Sequence, residues 1–410
     1  MQLPKYEESM LAITSSIQKY YGIDTPYRSL TALDKELAKG YKHVFMYLID
    51  GLGYYNLQKL KKEMPYLSSL AVRKLSTVYP STTVAATTTA CCGLPPVATG
   101  WIGWHQYFKE YKEDYILFRD RGYYDETKQC PRNIEFDLMK YDPLWEQVAR
   151  TGKYGSFIYP PFRTKEVTCF KDQCDMIKAS ANDPTKEGYT YVYWDKLDSL
   201  MHQYGVESDE VKAHASEIDR NVQEMMQSLP EDTLIILTAD HGHMDIEYLH
   251  LEEHEDLVSL FEVAPTLEAR AASFHIKDGK QEEFAELFEK YYGDYFVLFT
   301  HEEVFEKKLL GPGEPSSLAH EFVGDFLACA TDKYCVCYVQ EGPPKGQHAG
   351  MTKTEMNTPM ILLSNQKKKT GKEILANSRA SKSSLQGKNF NKVVGKPKDV
   401  SAFRRVNFNG

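Results

Sequence analysis

Six side chains of the kinds that bind divalent metal ions recur along the sequence in short motifs. They are Asp50, Asp198, His202, Asp240, His241 and His348. Asp198 and His202 are four residues apart, so a helix would put both side chains on one face. His348 lies in a loop flanked by glycines. Carboxylate oxygens combined with imidazole nitrogens form a ligand set that suits zinc, with manganese as a competitor.

Thr83 is the candidate nucleophile that accompanies these ligands, at the end of the sequence Tyr-Pro-Ser-Thr-Thr. Residues 84–92 have a helical pattern, which places Thr83 at a helix N-terminus, where free N–H groups and the dipole favour an anion such as phosphate. A threonine hydroxyl is a poor nucleophile at neutral pH unless a bound metal ion activates it. The alternative is that a hydroxyl here only caps the helix. The accompanying metal ligands favour the catalytic interpretation.

Short apolar stretches that alternate with helical patterns would position these residues. The predicted strands are residues 43–49, 74–79, 189–194 and 233–238, and the predicted helices are residues 55–62, 84–92 and 208–228. This alternation indicates an α/β fold, a doubly wound, mostly parallel sheet with helices on both faces. Such sheets bind ligands at the carboxyl ends of their strands. Asp50, Asp240 and residues 80–83 all fall at those ends.

We expect one catalytic domain over residues 1–365, with two segments that depart from the alternating pattern. Residues 93–188 hold many aromatic residues and loop signals, and form a possible cap over the edge of the sheet. Residues 264–340 have the pattern of an α+β insertion. Its predicted strands are residues 271–277, 295–300, 326–330 and 334–339, and its predicted helices are residues 280–292 and 302–310. Residues 366–410 are predicted to form a flexible basic tail.

Charge is unevenly distributed along the 410 residues. The chain has 49 basic and 58 acidic residues, a net charge of −9, but residues 366–410 contain 12 of the basic residues and 2 of the acidic ones. The acidic body argues against general nucleic-acid binding, which leaves only a weak contact through the basic tail. The sequence has no pattern of a secretory signal and no stretch of about 18 apolar residues that would span a membrane. With eight cysteines, we expect a cytoplasmic protein with reduced thiols.

The order of the motifs resembles the alkaline phosphatase superfamily and, within it, the type I phosphodiesterase/nucleotide pyrophosphatase family. The motifs are Asp50-Gly51-Leu52-Gly53, Pro80-Ser81-Thr82-Thr83, Asp198-x-x-x-His202, Asp240-His241-Gly242 and His348. Each motif alone is weak, whereas the ordered set of five is specific. The resemblance implies an alkaline phosphatase-like fold and hydrolysis of phosphodiester or pyrophosphate bonds in a small phosphate ester or anhydride. It also implies two divalent metal ions, zinc or manganese, and no organic cofactor.

The resemblance further implies a role for each residue. The residues that would hold the ions are Asp198, His202 and His348 for one, and Asp50, Asp240, His241 and Thr83 for the other. Thr83 would attack phosphorus and form a phosphorylated enzyme, which water then hydrolyses. In the family that the chain resembles, the nucleophile lies ten residues before a glycine, here Gly93, which implies Thr83, with Thr82 as the fallback.

Trp104 departs from the family pattern, because the family has a phosphate-binding asparagine 21 residues after the nucleophile, where this sequence has Trp104. We expect its replacement to be His105 or backbone N–H groups. Specificity for nucleotide diesters is therefore left open by the sequence.

Other functions on the same scaffold remain alternatives, namely a phosphomonoesterase, a phosphonate hydrolase or a phosphomutase. A second basic residue near the phosphate would favour monoesters, and Arg163 is the candidate. A binding protein without turnover is disfavoured because every ligand position is filled. A sulfatase is disfavoured because Cys91, Cys92 and Cys130 lack the required motif. His243 is interpreted as lying behind the ligands or at the surface.

Overall fold

The structure is a computed structural model that describes residues 1–339 and 344–366. The predicted basic tail lies outside the described residues, except for residue 366. In the described residues the strands are, in chain order, β1 (His43–Ile49), β2 (Val72–Ser76), β3 (His105–Phe108), β4 (Glu113–Ile116), β5 (Arg121–Gly122), β6 (Tyr154–Ile158), β7 (Gly188–Trp194), β8 (Thr233–Thr238), β9 (Met244–Asp245), β10 (Glu247–His250), β11 (Thr266–Glu268), β12 (Ala271–Phe274), β13 (Phe296–Thr300), β14 (Phe326–Ala330), β15 (Tyr334–Cys337), β16 (Gly346–Gln347) and β17 (Asn357–Leu363).

The first α-helices precede β1 and the others lie between strands, and their ends follow local sequence signals. They are α1 (Met10–Tyr20), α2 (Thr31–Leu37), α3 (Tyr54–Lys59), α4 (Pro65–Ser69), α5 (Thr83–Cys92), α6 (Pro96–Thr99), α7 (Leu144–Arg150), α8 (Phe170–Ala181), α9 (Lys196–Tyr204), α10 (Asp209–Met226), α11 (Glu255–Val258), α12 (Gln281–Tyr292), α13 (His301–Glu306), α14 (Ser317–Phe322) and α15 (Lys353–Met356). At the start of α10, for example, the Ser208 hydroxyl accepts a hydrogen bond from the Val211 N–H, which is the usual N-cap arrangement.

A six-stranded sheet forms the centre of the molecule, in the order β2-β17-β8-β1-β7-β6. β1 pairs in parallel with both β7 and β8, and β6 pairs in parallel with β7. β17 runs antiparallel to its two neighbours, β2 and β8. The sheet is therefore mostly parallel, which confirms the predicted fold class.

Helices cover both faces of this sheet, because alternate residues of its strands are buried on opposite sides. On β1, Phe45 and Tyr47 belong to the core beneath α8 and α10, whereas Val44 and Met46 belong to the core beneath α1 and α5. β1 and β8 have the predicted bounds. β2 begins and ends earlier than predicted, at Val72–Ser76 instead of residues 74–79.

A second, seven-stranded antiparallel sheet stands apart, in the order β13-β14-β12-β11-β3-β4-β5. It joins β3, β4 and β5, which belong to the expected cap segment, to strands of the expected insertion. The link between them is the pairing of β11 with β3, at Leu267 and His105. The segment 93–188 thus divides between two sheets, since β6 is an edge strand of the central one.

Two small sheets complete the strand pairing. β10 pairs with β15, so the predicted strand over residues 334–339 lies outside both larger sheets. β9 pairs with β16, which brings the segment after His241 against the segment before His348. In the part of the chain that the structure describes, no helix is both long and apolar enough to cross a membrane.

Candidate active site

Polar residues at the carboxyl ends of two central strands lie side by side. Asp50 directly follows β1, and Asp240 lies two residues beyond the end of β8. Because β1 and β8 are adjacent and parallel, both turns open at one edge of the sheet. The Gly51 N–H donates a hydrogen bond to Oδ1 of Asp240 at 3.1 Å. The two turns are thereby joined directly.

Asp50, Asp240 and His241 form the first group of candidate metal ligands. One ligand atom of each lies within 4.8 Å of the others. The Nε2 atom of His241 is 3.4 Å from Oδ1 of Asp50 and 3.4 Å from Oδ2 of Asp240. All three side chains are buried. The Tyr193 hydroxyl donates to Oδ2 of Asp50, which leaves Oδ1 directed at the group.

Asp198, His202 and His348 form the second group, again with ligand atoms within 4.8 Å of one another. Asp198 and His202 lie one turn apart on α9, with Nε2 of His202 3.3 Å from Oδ2 of Asp198. Nε2 of His348 is 4.0 Å from Oδ1 of Asp198. The spacing of four residues thus places both side chains on one helix face, as the sequence predicts.

Backbone carbonyls orient the histidines. Nδ1 of His202 lies 2.8 Å from the carbonyl oxygen of Gly346, and Nδ1 of His241 lies 3.2 Å from that of Gly242. A carbonyl only accepts hydrogen bonds, so Nδ1 carries the proton in both rings. Nε2 is then the unprotonated nitrogen, with a lone pair that can bind a metal ion.

The two groups adjoin each other across the site. The rings of His241 and His348 stack with centroids 3.7 Å apart. Gly51 separates Asp50 from Asp198, and a Cβ atom at Gly51 would lie 3.1 Å from the Cβ of Asp198. The φ angle of +74° at this residue also favours glycine.

The arrangement fits bound cations, because it leaves buried carboxylate oxygens without partners. Oδ1 of Asp50, Oδ1 of Asp198 and Oδ2 of Asp240 accept no hydrogen bond from the described residues. Burying a carboxylate oxygen without compensation is expensive. Divalent cations coordinated by these oxygens and by imidazole nitrogens would remove that cost.

Burial and the neighbouring charged groups shift the pKa values of several candidate ligands. Burial raises the pKa of Asp50 well above its usual range, and the charges of Asp240 and Asp198 raise it further. Burial also acts on Asp198, but the adjacent His202 and His243 outweigh it and hold the pKa of Asp198 well below its usual range. Burial lowers the pKa of His348 well below its usual range. His348 is therefore neutral, the form in which imidazole binds metals.

Thr83 begins α5, and its hydroxyl points into the first group of ligands. Its Oγ1 is 3.1 Å from Nε2 of His241. The hydroxyl of Thr82 points elsewhere and donates to Oε1 of Glu268. The structure thus places Thr83, rather than the fallback Thr82, beside the candidate metal ligands.

His243 and Tyr193 contact the candidate ligands. The sequence left open whether His243 lies behind the ligands or at the surface, and it gave Tyr193 no role. His243 is buried, not at the surface, and its Nε2 is 3.3 Å from Oδ1 of Asp198. Burial lowers the pKa of His243 to about 4, to which His202 contributes. The repeated histidine in Asp-His-Gly-His was the signal available in the sequence. Tyr193 is the next-to-last residue of β7. A hydroxyl near the carboxyl end of a buried strand is a weaker signal.

Arg163 and His105, the two predicted phosphate partners, are bound to other residues. Arg163 donates to both carboxylate oxygens of Glu135, at 2.9 and 2.8 Å. Nδ1 of His105 lies 2.6 Å from Oδ2 of Asp114. The backbone N–H of Trp104, the remaining kind of donor expected there, donates to Glu268 at 2.8 Å. Glu268 was not singled out in the sequence.

A comparison with models of protein families places this site in a known family. The model described as type I phosphodiesterase / nucleotide pyrophosphatase matches residues 44–353. The chain belongs to this family. The match spans both groups of candidate ligands and Thr83, and it confirms the family predicted from the order of the motifs. As a member of the family, the protein is a hydrolase that acts on phosphoric ester bonds.

Solved structures of family members share the fold at low sequence identity. Human ectonucleotide pyrophosphatase / phosphodiesterase 5 superposes with a TM-score of 0.60 at 17% identity, over 80% of this chain and 90% of that chain. The murine protein gives 0.58 at 16% identity, over 77% and 87%. An inactive variant of the murine protein in complex with AMP gives 0.59 at 16% identity, over 78% and 87%. No curated protein matches the sequence.

Proposed function

We propose that this family member hydrolyses phosphodiester or pyrophosphate bonds through a phosphorylated Thr83, at a site that holds two divalent cations. The observation that carries the proposal is the position of the Thr83 hydroxyl, 3.1 Å from Nε2 of His241. This hydroxyl lies at the N-terminus of α5 and beside a group of buried ligands. A nucleophile, an anion-binding helix end and candidate cation ligands therefore meet at one point.

The residues proposed to hold the cations are Asp198, His202 and His348 for one, and Asp50, Asp240 and His241 for the other. When bound, divalent cations would lower the pKa of a hydroxyl or of water and offset negative charge on the reacting oxygens. Zinc is the first candidate, because mixed carboxylate and imidazole sites suit it, and manganese is the second. The carboxylate oxygens without hydrogen bonds support this assignment.

Thr83 supplies the attacking oxygen in the proposed reaction. Its Oγ1 forms a bond to phosphorus as the bond from phosphorus to the leaving oxygen breaks, and the hydroxyl proton passes to solvent. Water then attacks phosphorus from the leaving side, which releases the phosphate product and restores the hydroxyl. N–H groups in the first turn of α5 would stabilise the negative charge on the phosphoryl oxygens.

A small nucleotide is the substrate class that we propose to test first. The murine relative whose inactive variant binds AMP supports this choice. Monoesters have weaker support, because Arg163, the residue expected to pair with their extra charge, is held by Glu135.

The experiment compares a nitrophenyl phosphodiester with the matching monoester, with zinc or manganese added and with a chelator as control. We expect metal-dependent turnover that prefers the diester. Thr83→Ala should lower kcat by at least about a thousandfold, because the variant has no attacking oxygen. Metal content should stay near that of the wild type.

Thr82→Ala is the matched control, since it removes a neighbouring hydroxyl that points away from the ligands. This variant should keep turnover within about tenfold of the wild type. Normal turnover by Thr83→Ala, or loss of turnover only in Thr82→Ala, would overturn the assignment of the nucleophile.

A further inference from the structure

Glu268 places a carboxylate beside Thr82, the residue that precedes the proposed nucleophile. It ends β11, and its Oε1 accepts hydrogen bonds from the hydroxyl of Thr82 and from the backbone N–H of Trp104, the latter at 2.8 Å. Thr82 immediately precedes Thr83 at the start of α5. The carboxylate also interacts electrostatically with His105, and with His241 and His202, one from each group of candidate ligands.

The backbone around Glu268 is held in an unusual conformation. Leu267, whose side chain is fully buried, has a φ angle of +74° within β11. A leucine rarely adopts this left-handed conformation, and such strain persists only where the surrounding structure imposes it. Gly103 allows the close approach, because a Cβ atom there would lie 2.6 Å from Cα of Leu267. The packing of β11 against the segment that carries Trp104 therefore fixes the position of the Glu268 carboxylate.

This carboxylate binds two hydrogen-bond donors, one of which, the backbone N–H of Trp104, is of the kind expected to contact the phosphate. The Trp104 N–H and the Thr82 hydroxyl both donate to Glu268. Arg163, the residue expected to pair with the extra charge of a monoester, is bound by Glu135. When ionised, Glu268 would therefore place negative charge close to a phosphate group bound at Thr83.

This charge acts differently on the two classes of phosphate ester. A phosphodiester carries one negative charge at phosphorus, whereas an ionised monoester carries two. Coulomb repulsion by a fixed carboxylate is thus about twice as large for the monoester dianion. The effect is strongest in a partly buried site, where water screens charges poorly.

We propose that Glu268 is a specificity-determining residue that excludes dianionic phosphate monoesters and leaves monoanionic phosphodiesters as substrates. This proposal rests on the proposed phosphodiesterase function, and it identifies a residue that selects substrates by the charge on their phosphate group. Glu268→Gln keeps the size of the side chain and an oxygen that can accept both hydrogen bonds, while it removes the charge.

The first experiment measures kcat/KM for a nitrophenyl diester and for the matching monoester at alkaline pH, where the carboxylate is ionised. We expect Glu268→Gln to shift the ratio of the two values toward the monoester by about tenfold or more. Glu268→Ala should shift the ratio in the same direction. Glu262→Gln, which removes an exposed carboxylate from the loop before β11, should leave the ratio unchanged.

The second experiment measures binding without turnover, so that it does not depend on the proposed reaction. In the Thr83→Ala background with zinc added, calorimetry compares inorganic phosphate at alkaline pH with dimethyl phosphate. Adding Glu268→Gln should tighten binding of the phosphate dianion by about tenfold relative to dimethyl phosphate.

The outcomes separate the two proposals. Failure of the wild type to hydrolyse the diester would overturn the proposed function, while the binding ratio would still test Glu268. Equal changes for both substrates and both ligands would mean that Glu268 only supports the local structure, and would overturn its role in specificity.

Discussion

At the scale of single residues, the site is defined by buried charge that the protein leaves without internal compensation. Asp50 and Asp240 direct carboxylate oxygens at His241, and these oxygens accept no hydrogen bond from the described residues. The Arg270–Glu355 ion pair, by contrast, is equally buried but fully paired. Uncompensated buried carboxylates are costly for stability, so their presence points to bound cations and to function.

His275 provides a test of burial at one residue away from this site. Burial lowers its pKa to about 4, with Lys109 and His301 adding to the shift and Asp325 opposing it. The unfolded chain, with a histidine pKa of about 6.5, takes up the proton first on acidification. The stability that neutral His275 confers is therefore complete above about pH 6.5 and is lost as the pH falls toward 4.

Urea unfolding of the wild type and of His275→Gln at both ends of this pH range measures the effect. When the pH is lowered from about 6.5 to about 4, we expect the free energy of unfolding to fall by about 1–3 kcal/mol more for the wild type than for His275→Gln. His250→Gln, at a histidine whose side chain is 42% exposed, should follow the wild type. The same pH slope for wild type and His275→Gln would contradict the assignment.

At the scale of elements, the loops that carry the ligands are joined by a buried ion pair. Arg270, between β11 and β12, pairs with Glu355 of α15 at 2.6 Å. Glu355 also accepts from the Gly350 N–H at 2.8 Å, and its carbonyl oxygen accepts from the Gly242 N–H at 2.9 Å. The second sheet, the loop after His241 and the loop after His348 therefore meet at one residue, Glu355.

Glu355→Gln should be strongly destabilising, because it leaves the Arg270 guanidinium buried without a counter-charge. We expect a loss of about 3–5 kcal/mol in the free energy of unfolding, measured by urea denaturation. The control is Glu247→Gln, which breaks an ion pair with Lys333 whose side chains are 56% and 46% exposed. That change should cost no more than about 1 kcal/mol. Similar losses in the two variants would show that the buried pair contributes no more than an exposed one.

At the scale of the whole molecule, the candidate ligands come from four separate parts of the chain. They follow β1, lie on α9, follow β8 and precede α15. An unfolded chain cannot hold these side chains together, so cations bind the native state preferentially. Cation binding must therefore stabilise the complete fold.

Removal of divalent cations with a chelator should lower the thermal midpoint, and restored zinc or manganese should reverse the change. A site occupied at about 100 times its Kd contributes about 2.7 kcal/mol. Asp240→Asn should bind one ion fewer by elemental analysis and show a smaller shift with the chelator. An unchanged midpoint together with unchanged metal content in Asp240→Asn would remove Asp240 from the ligands.

The amino-acid sequence by itself determined the features that depend on near neighbours in the chain. The apolar stretches of β1 and β8 have their predicted bounds, and the polar residues that follow them, Asp50 and Asp240, lie at one edge of the sheet. Asp198 and His202 share a helix face because a spacing of four matches the helical repeat. These properties follow from local patterns and from the rule that adjacent parallel strands end together.

Only the tertiary structure decided which residues from distant segments meet. Thr82 and Glu268 are 186 positions apart, and their contact depends on the pairing of β11 with β3. The same pairing joined the expected cap to the expected insertion. His243 turned inward and Arg163 paired with Glu135 for a similar reason, since each outcome depends on which surfaces pack. No local pattern encodes such contacts, because they arise from the balance of burial, charge and close packing over the whole fold.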